Sequence, residues 1–343
     1  MKQNTIEDIK VIYKGKEIKT LVLENQKGSR LTVSNYGASI LSFETPDKEG
    51  KLINVIVGLA SSRAYIDKYI NGESILLGAT VGRYAGRIST DVLRINEQEF
   101  PIYHENGIHL HGGKHGLDGK FWKVKAIDND TLRAVFEYKS EHLEEGYPGN
   151  VLITASYQLT EINELKIIYT ATSDKDTVIN LTNHAYFNLD GAGSIKNHEL
   201  QLSSREMLEV DTKMIPTGII KPVANTAYDF RKPSTLNKLH TIEGLDDTFI
   251  YEDTALPKAV LKSLHSGIKM EVFTNQPAVV IFTPKELPQW KYAYHAMYDD
   301  FPAICFENQK HPDAPNHPHF PSTLLKAGEV YENTSVFVFG IDD

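Results

Sequence analysis

The chain has 343 residues, 41% of them hydrophobic, enough to bury a large core. Its formal charge of −9 argues against a nucleic-acid partner, which a basic stripe would announce, and suits a neutral small molecule. A single cysteine, Cys305, excludes an intrachain disulfide framework and a cysteine-rich zinc site.

The first twenty residues, "MKQNTIEDIKVIYKGKEIKT", hold no apolar leader core, and no window approaches the ~20 apolar residues of a membrane helix. The expected location is the cytoplasm. "SSRAYIDKYI" reads as a short helix capped by Ser61 or Ser62. "GATVGRYAGR", Gly78 to Arg87, fits neither the P-loop nor the dinucleotide fingerprint. It is a plain loop or a close backbone approach to a ligand, with Arg83 or Arg87 projecting donors. In "NGIHLHGGKHG", His109 and His111 would share one face of a strand, a metal-ligand spacing, but the carboxylate that should follow is missing. The Gly-Gly pair there allows a tight approach to a ligand, with His111 as a hydrogen-bonding wall.

From here alternation dominates. "RAVFEYKS", "VLITASYQL" and "ELKIIYTAT" read as strands, the last two forming a hairpin at Asn163. In "NLTNHAYFNLDG", His184 precedes a short strand with Tyr186 and Asn188 on one side and Phe187 and Leu189 on the other. It is either a packed residue or a proton carrier. "GLDDTF" and "YDDF" hold acidic pairs, which serve glycosidases or cap solvated loops. "KMEVFTNQ", "AVVIFTP" and "TSVFVFGI" are further strands. "ICFENQ" sets Glu307 at the end of an apolar run, where burial would raise its pKa; this makes it the best general-base candidate. Cys305, in the same run, reads as buried and inert rather than nucleophilic. "HPDAPNHPHF" reads as a proline-stiffened rim. Many strands, few short helices and no linker or repeat predict an all-β protein, one large antiparallel β-sandwich domain over 1–343, with a two-domain split as the alternative that pattern alone leaves open.

Taken together, "SNYGASILSF", "GATVGRYAGRI", "LHGG", "GYPG", "NHAYFNLDG", "DFR", "GLDDTF", "FTNQPAVVIFT", "CFENQKHPDAPNHPHFP" and "LKAGEVYENTSVFVFG" form an ordered set from about Leu31 to Gly340. The chain resembles the aldose 1-epimerase (galactose mutarotase) family. The resemblance implies a β-sandwich without cofactor or metal that interconverts the α and β anomers of free aldohexoses. It implies His184 as general acid and Glu307 as general base, with Arg87, His111 and Asp246 holding the sugar. It also implies a monomer or homodimer without nucleic-acid or membrane partners. The chain departs from the family pattern at Gly86 (often Asn), Asp247 (often His) and Val280 (glutamine in some relatives), which bears on substrate range.

The expected chemistry is proton removal from the C1 hydroxyl, proton delivery to the ring oxygen, ring opening, rotation about C1–C2 and closure. His184 must be protonated while Glu307 is ionised, a state the apposed carboxylate would favour. Trp122 or one of the 17 tyrosines would supply a platform for the pyranose. The alternatives are a hexose-phosphate 1-epimerase of the same fold, which would need a basic cluster, and a non-catalytic carbohydrate-binding module. A glycosidase would need two carboxylates flanking a bond.

Overall fold

Period-two alternation builds three large antiparallel sheets, beside short two-stranded ones, in the computed structural model, which describes residues 5–13, 15–253 and 256–342. A long sheet of nine strands has the hairpin Val151–Leu159 and Glu164–Ser173 near its middle, followed by Val330–Ile341 and Ile268–Thr274. Asn163 makes that hairpin turn with a left-handed φ of 61°, a conformation asparagine tolerates. A front sheet of six runs Tyr186–Phe187, Ile304–Gln309, Ala278–Phe282, Asp246–Tyr251, Ser204–Val210, Pro216–Pro222. A five-stranded sheet runs in chain order from Thr5–Tyr13 to Leu52–Asn54.

The long and front sheets pack face to face through one apolar core. Phe187 of the front sheet lies 5.1 Å from Phe337 of the long sheet, ring to ring. The five-stranded sheet joins the same core through Phe43, 4.6 Å from Phe339. Each such ring contributes roughly 1.5–3 kcal/mol by burial, so the core joins the three sheets energetically. Helices are few and short. Ser62–Ile70 is capped by Ser61, whose side chain accepts from Ala64 N–H. No helix among the described residues is long and apolar enough to cross a membrane.

The front sheet positions the site because its two faces differ. Ile304, Phe306, Val279, Ile281 and Phe249 point into the core. Their neighbours Glu307, Val280, Phe282, Asp246 and Thr248 point the other way, into a cavity. Register aligns them: Val280 stands opposite both Glu307 and Thr248, and Phe282 opposite Asp246.

Candidate active site

The cavity has a volume of about 220 Å³. That is smaller than the ~300–1,000 Å³ of drug-sized sites and suits one small ring. Its polar lining is Arg87, His111, His184, Asp246 and Glu307; its apolar lining includes Val210, Met214 and Pro216. All five residues singled out in the sequence therefore border one space.

His184 is held by its backbone and its ring. Its N–H donates to Ala79 O at 2.9 Å, and its carbonyl accepts from Gly78 N–H at 3.0 Å. The imidazole stacks on Tyr186 at 5.0 Å between centroids, and the Tyr186 hydroxyl donates to Ile75 O at 2.8 Å. Nε2 lies 3.4 Å from Glu307 Oε1, and both side chains are at most 5% exposed. His184 Nδ1 and Glu307 Oε2 are buried without a hydrogen-bond partner inside the protein.

Burial sets the charge of the pair. It pushes Glu307 up to about 8, with the Asp246 carboxylate adding to the rise and Arg87 opposing it. Burial pulls His184 down to about 4. The two therefore hold one proton between them at neutral pH, and it rests on Glu307. This corrects the expectation that the carboxylate would keep the imidazole charged: desolvation of both groups outweighs their attraction.

The same shifts make stability depend on pH. Between 4.5 and 8 the folded state keeps a proton on Glu307 that the unfolded chain has lost, so this group lowers stability as pH rises. His184 acts oppositely between about 4 and 6.5, where only the unfolded chain is protonated. The net fall appears above 6.5. Thermal melts of Glu307→Gln should therefore show a stability advantage over wild type that widens toward pH 8, by about 1.4 kcal/mol per pH unit. A constant gap would mean that Glu307 is ionised in the folded state.

His111 leaves its strand, which ends at Leu110, and enters the left-handed region at φ 50°. It therefore does not share a face with His109. His109 is fully buried, bonded to Tyr103 O and the Tyr147 hydroxyl. His111 Nδ1 accepts from Gly86 N–H at 3.2 Å, so its proton sits on Nε2. Burial holds this ring well below its usual pKa, leaving it a neutral donor. Donor atoms of His111, His184 and Glu307 lie within 4.8 Å of one another, close enough for a metal ion. The fit is poor: one nitrogen of His111 is taken by Gly86 and the other is protonated, so neither offers a lone pair.

Arg87 lies 3.5 Å from Asp246, carbon-framed donors and acceptors side by side at the cavity wall. Arg83 points elsewhere. It is buried, donating to Ser140 Oγ and to the carbonyls of Ser140, Glu141 and Pro148 at 2.7–3.0 Å. Gly78 and Gly112 serve packing within the protein, whereas Gly86 lines the cavity. A Cβ on Gly112 would lie 1.9 Å from Gly82 O, and one on Gly78 would lie 1.9 Å from Ile40 O.

Trp122 is no sugar platform: it is 2% exposed in the main core. The aromatic residues at the cavity are Tyr186 and Phe282. Of the departing positions, Gly86 and Val280 line the cavity, whereas Asp247 alternates to the other face of its strand. Pro312 of the proline-rich rim also reaches the cavity, while His311 is buried against Phe320. Asp300 ion-pairs with Lys196 outside the cavity. Cys305 is buried, its thiol pushed up by desolvation. Sequence reasoning missed Thr248, Val210, Met214 and Pro216, which reach the cavity only through strand register and a hairpin tip; Tyr186 alone carried a signal, two residues from His184 on the same side.

Comparison with known proteins identifies the family. The family model described as aldose 1-epimerase matches residues 19–338. A galactose mutarotase of Sus scrofa is 36% identical over 322 residues, 91% of each chain. An aldose 1-epimerase of Escherichia coli is 31% identical over 339 residues, 95% of this chain and 96% of that one. Among solved structures, a galactose 1-epimerase from Lactobacillus acidophilus superposes with a TM-score of 0.87 at 28% identity, covering 99% of this chain and all of that one.

Proposed function

Because this chain belongs to the aldose 1-epimerase family, and is thus an isomerase that exchanges the anomers of aldoses, we propose that His184 and Glu307 are its acid and base. The observation that carries this reading is their 3.4 Å contact at a buried cavity wall. The oxygens to be served, O1 and O5, share one carbon. An acid and a base must therefore stand side by side, not on opposite sides of the ring.

Shifting the shared proton from Glu307 to His184 gives the starting state. Glu307 then takes the O1 proton as His184 protonates O5; the C1–O5 bond breaks and C1=O1 forms. The pair is now neutral again, the state that burial favours, so the site stabilises the ring-opened aldehyde. Rotation about C1–C2 and reversal of both transfers close the other anomer. Protons balance without a cofactor. Each carrier contributes ~10²–10⁴-fold.

Arg87, Asp246 and the Nε2–H of His111 hold the sugar hydroxyls in this reading. Asp246→Asn should raise KM for galactose ~10–100-fold with a smaller change in kcat, the loss of a charge-assisted hydrogen bond. An unchanged KM would remove Asp246 from the binding set. The substrate is a free hexose such as galactose or glucose: Arg87 is the one Lys or Arg among the described lining residues, and it already faces Asp246. Residues 1–343 act as one cytoplasmic domain, without nucleic-acid or membrane partners. Polarimetry of freshly dissolved α-galactose, α-glucose and their 6-phosphates tests the whole reading. Faster turnover of the phosphates would replace it with the sugar-phosphate alternative.

A further inference from the structure

His184 and Glu307 meet where two strands part. The ladder between Tyr186–Phe187 and Ile304–Gln309 pairs Phe187 with Ile304 and Tyr186 with Cys305, and goes no further. Extended by two residues, that register would set His184 opposite Glu307. Instead the chain before His184 turns away, and Thr182–Asn183 pairs with Thr80–Val81. The 3.4 Å contact between the two side chains thus lies just past the last backbone pair. Ladder ends open more readily than ladder middles, so this contact needs another support.

Buried side chains supply it. The Asn180 carboxamide takes both backbone groups of Lys310: Oδ1 accepts from the Lys310 N–H at 2.9 Å, and Nδ2 donates to the Lys310 carbonyl at 3.1 Å. It thereby stands in for a strand residue that would exchange both bonds there. The second Nδ2 proton goes to Ala85 O at 3.3 Å, so both N–H groups of the carboxamide are used. The backbone of Asn180 grips the other side of the site, its N–H donating to Arg83 O at 2.9 Å and its carbonyl accepting from Ala85 N–H at 2.7 Å. The segments that carry Arg87, His184 and Glu307 therefore converge on one fully buried residue. Beside it, Thr182 Oγ1 donates to Asn308 O at 3.2 Å, and Asn333 Nδ2 joins Leu181 O and Asn308 O at 2.7 and 2.9 Å.

We infer that Asn180, seconded by Thr182, is a positioning residue that holds the Glu307 strand at the distance from His184 that proton exchange needs. The inference rests on the reading of that pair as acid and base. Neither Asn180 nor Thr182 lines the cavity, so both act through Glu307 and His184 rather than on the sugar. An alanine at 180 would leave the Lys310 N–H and the carbonyls of Lys310 and Ala85 without this partner. The backbone bonds from residue 180 to Arg83 and Ala85 would survive it, so Arg87 keeps its place and the sugar is still held. The cost therefore falls on the proton-transfer step, where a displacement of ~1 Å can cost ~10²-fold.

Initial polarimetric rates of the full chain with fresh α-galactose test this. Asn180→Ala should lower kcat ~10–100-fold while KM changes less than ~3-fold. Thr182→Val removes one hydrogen bond and keeps the side-chain shape; it should lower kcat ~3–10-fold, and it probes the same seam if Asn180→Ala does not fold. In a Glu307→Gln background either substitution should cost less than a further ~2-fold, because the base to be positioned is already gone. Circular dichroism and melting curves show which variants fold. Wild-type kcat in either folded variant, a loss that falls on KM instead, or the full loss repeated in the Glu307→Gln background would overturn the inference and leave the acid–base pair standing. A wild-type rate in Glu307→Gln itself would remove the pair, and the inference with it.

Discussion

Glu307→Gln and His184→Asn each lower kcat by ~10²–10⁴-fold, and the double variant is no slower than the slower single one. The reason lies in the single proton the pair holds. Once either carrier is lost, the other has no complementary transfer to make in the same step. Initial rates of polarimetric change with fresh α-galactose measure all three. Multiplicative losses would mean that the residues act independently, against the side-by-side arrangement. Wild-type rate against pH supplies a second readout. Activity needs one proton on the pair, so the rate should hold level between about 4 and about 8. Above that range Glu307 loses the proton while His184 stays neutral. Below it, both are protonated and no base remains. The two inflections belong to the pair rather than to either residue. A profile with one inflection near 6.5, the ordinary histidine value, would mean that His184 is neither buried nor coupled as described.

Arg83→Ala should cost roughly 3–5 kcal/mol of stability, the largest loss from any charged residue outside the site. The substitution strips three carbonyls and the Ser140 hydroxyl of their donors at once. It also leaves Glu144, whose charge supports the guanidinium, with one fewer cation nearby. Burial draws Arg83 down to about 10, so it stays charged throughout the physiological range. A fall in melting temperature of roughly 4–7 °C is expected. Arg83→Lys should recover little of it, because a lysine lacks the planar fork that reaches these acceptors. Activity should fall too. Arg83 pins the segment that carries Gly86 and Arg87, and Gly86 holds the His111 tautomer. A small loss in melting temperature would mean that the acceptors find other donors.

Much of this site was legible because its residues sit in short, ordered motifs. His184 and Glu307 stood out, one beside an aromatic alternation and the other at the end of an apolar run. The strands themselves followed from alternation that any single sequence shows. What stayed hidden depends on partners distant in the chain. Thr248 and Val280 face the cavity only because Asp246–Tyr251, Ala278–Phe282 and Ile304–Gln309 lie side by side in one register. His109 and His111 looked equivalent until the chain turned left-handed between strand and glycines. Arg83 and Arg87 carry the same chemistry four residues apart, and only the fold sends one inward and the other to the cavity. The charge of the His184–Glu307 pair was misread for a related reason: proximity is visible in a motif, whereas the extent of desolvation is not.

The division of the front sheet into a core face and a cavity face bears on how this enzyme can change. Val280 and Thr248 border the cavity while Val279, Ile281 and Phe249, their chain neighbours, anchor the sandwich. New polar contacts can therefore be installed at 248 and 280 without excavating the interior. In the proposed reading, preference among monosaccharides is free to drift at these two positions while His184, Glu307 and the scaffold beneath stay as they are.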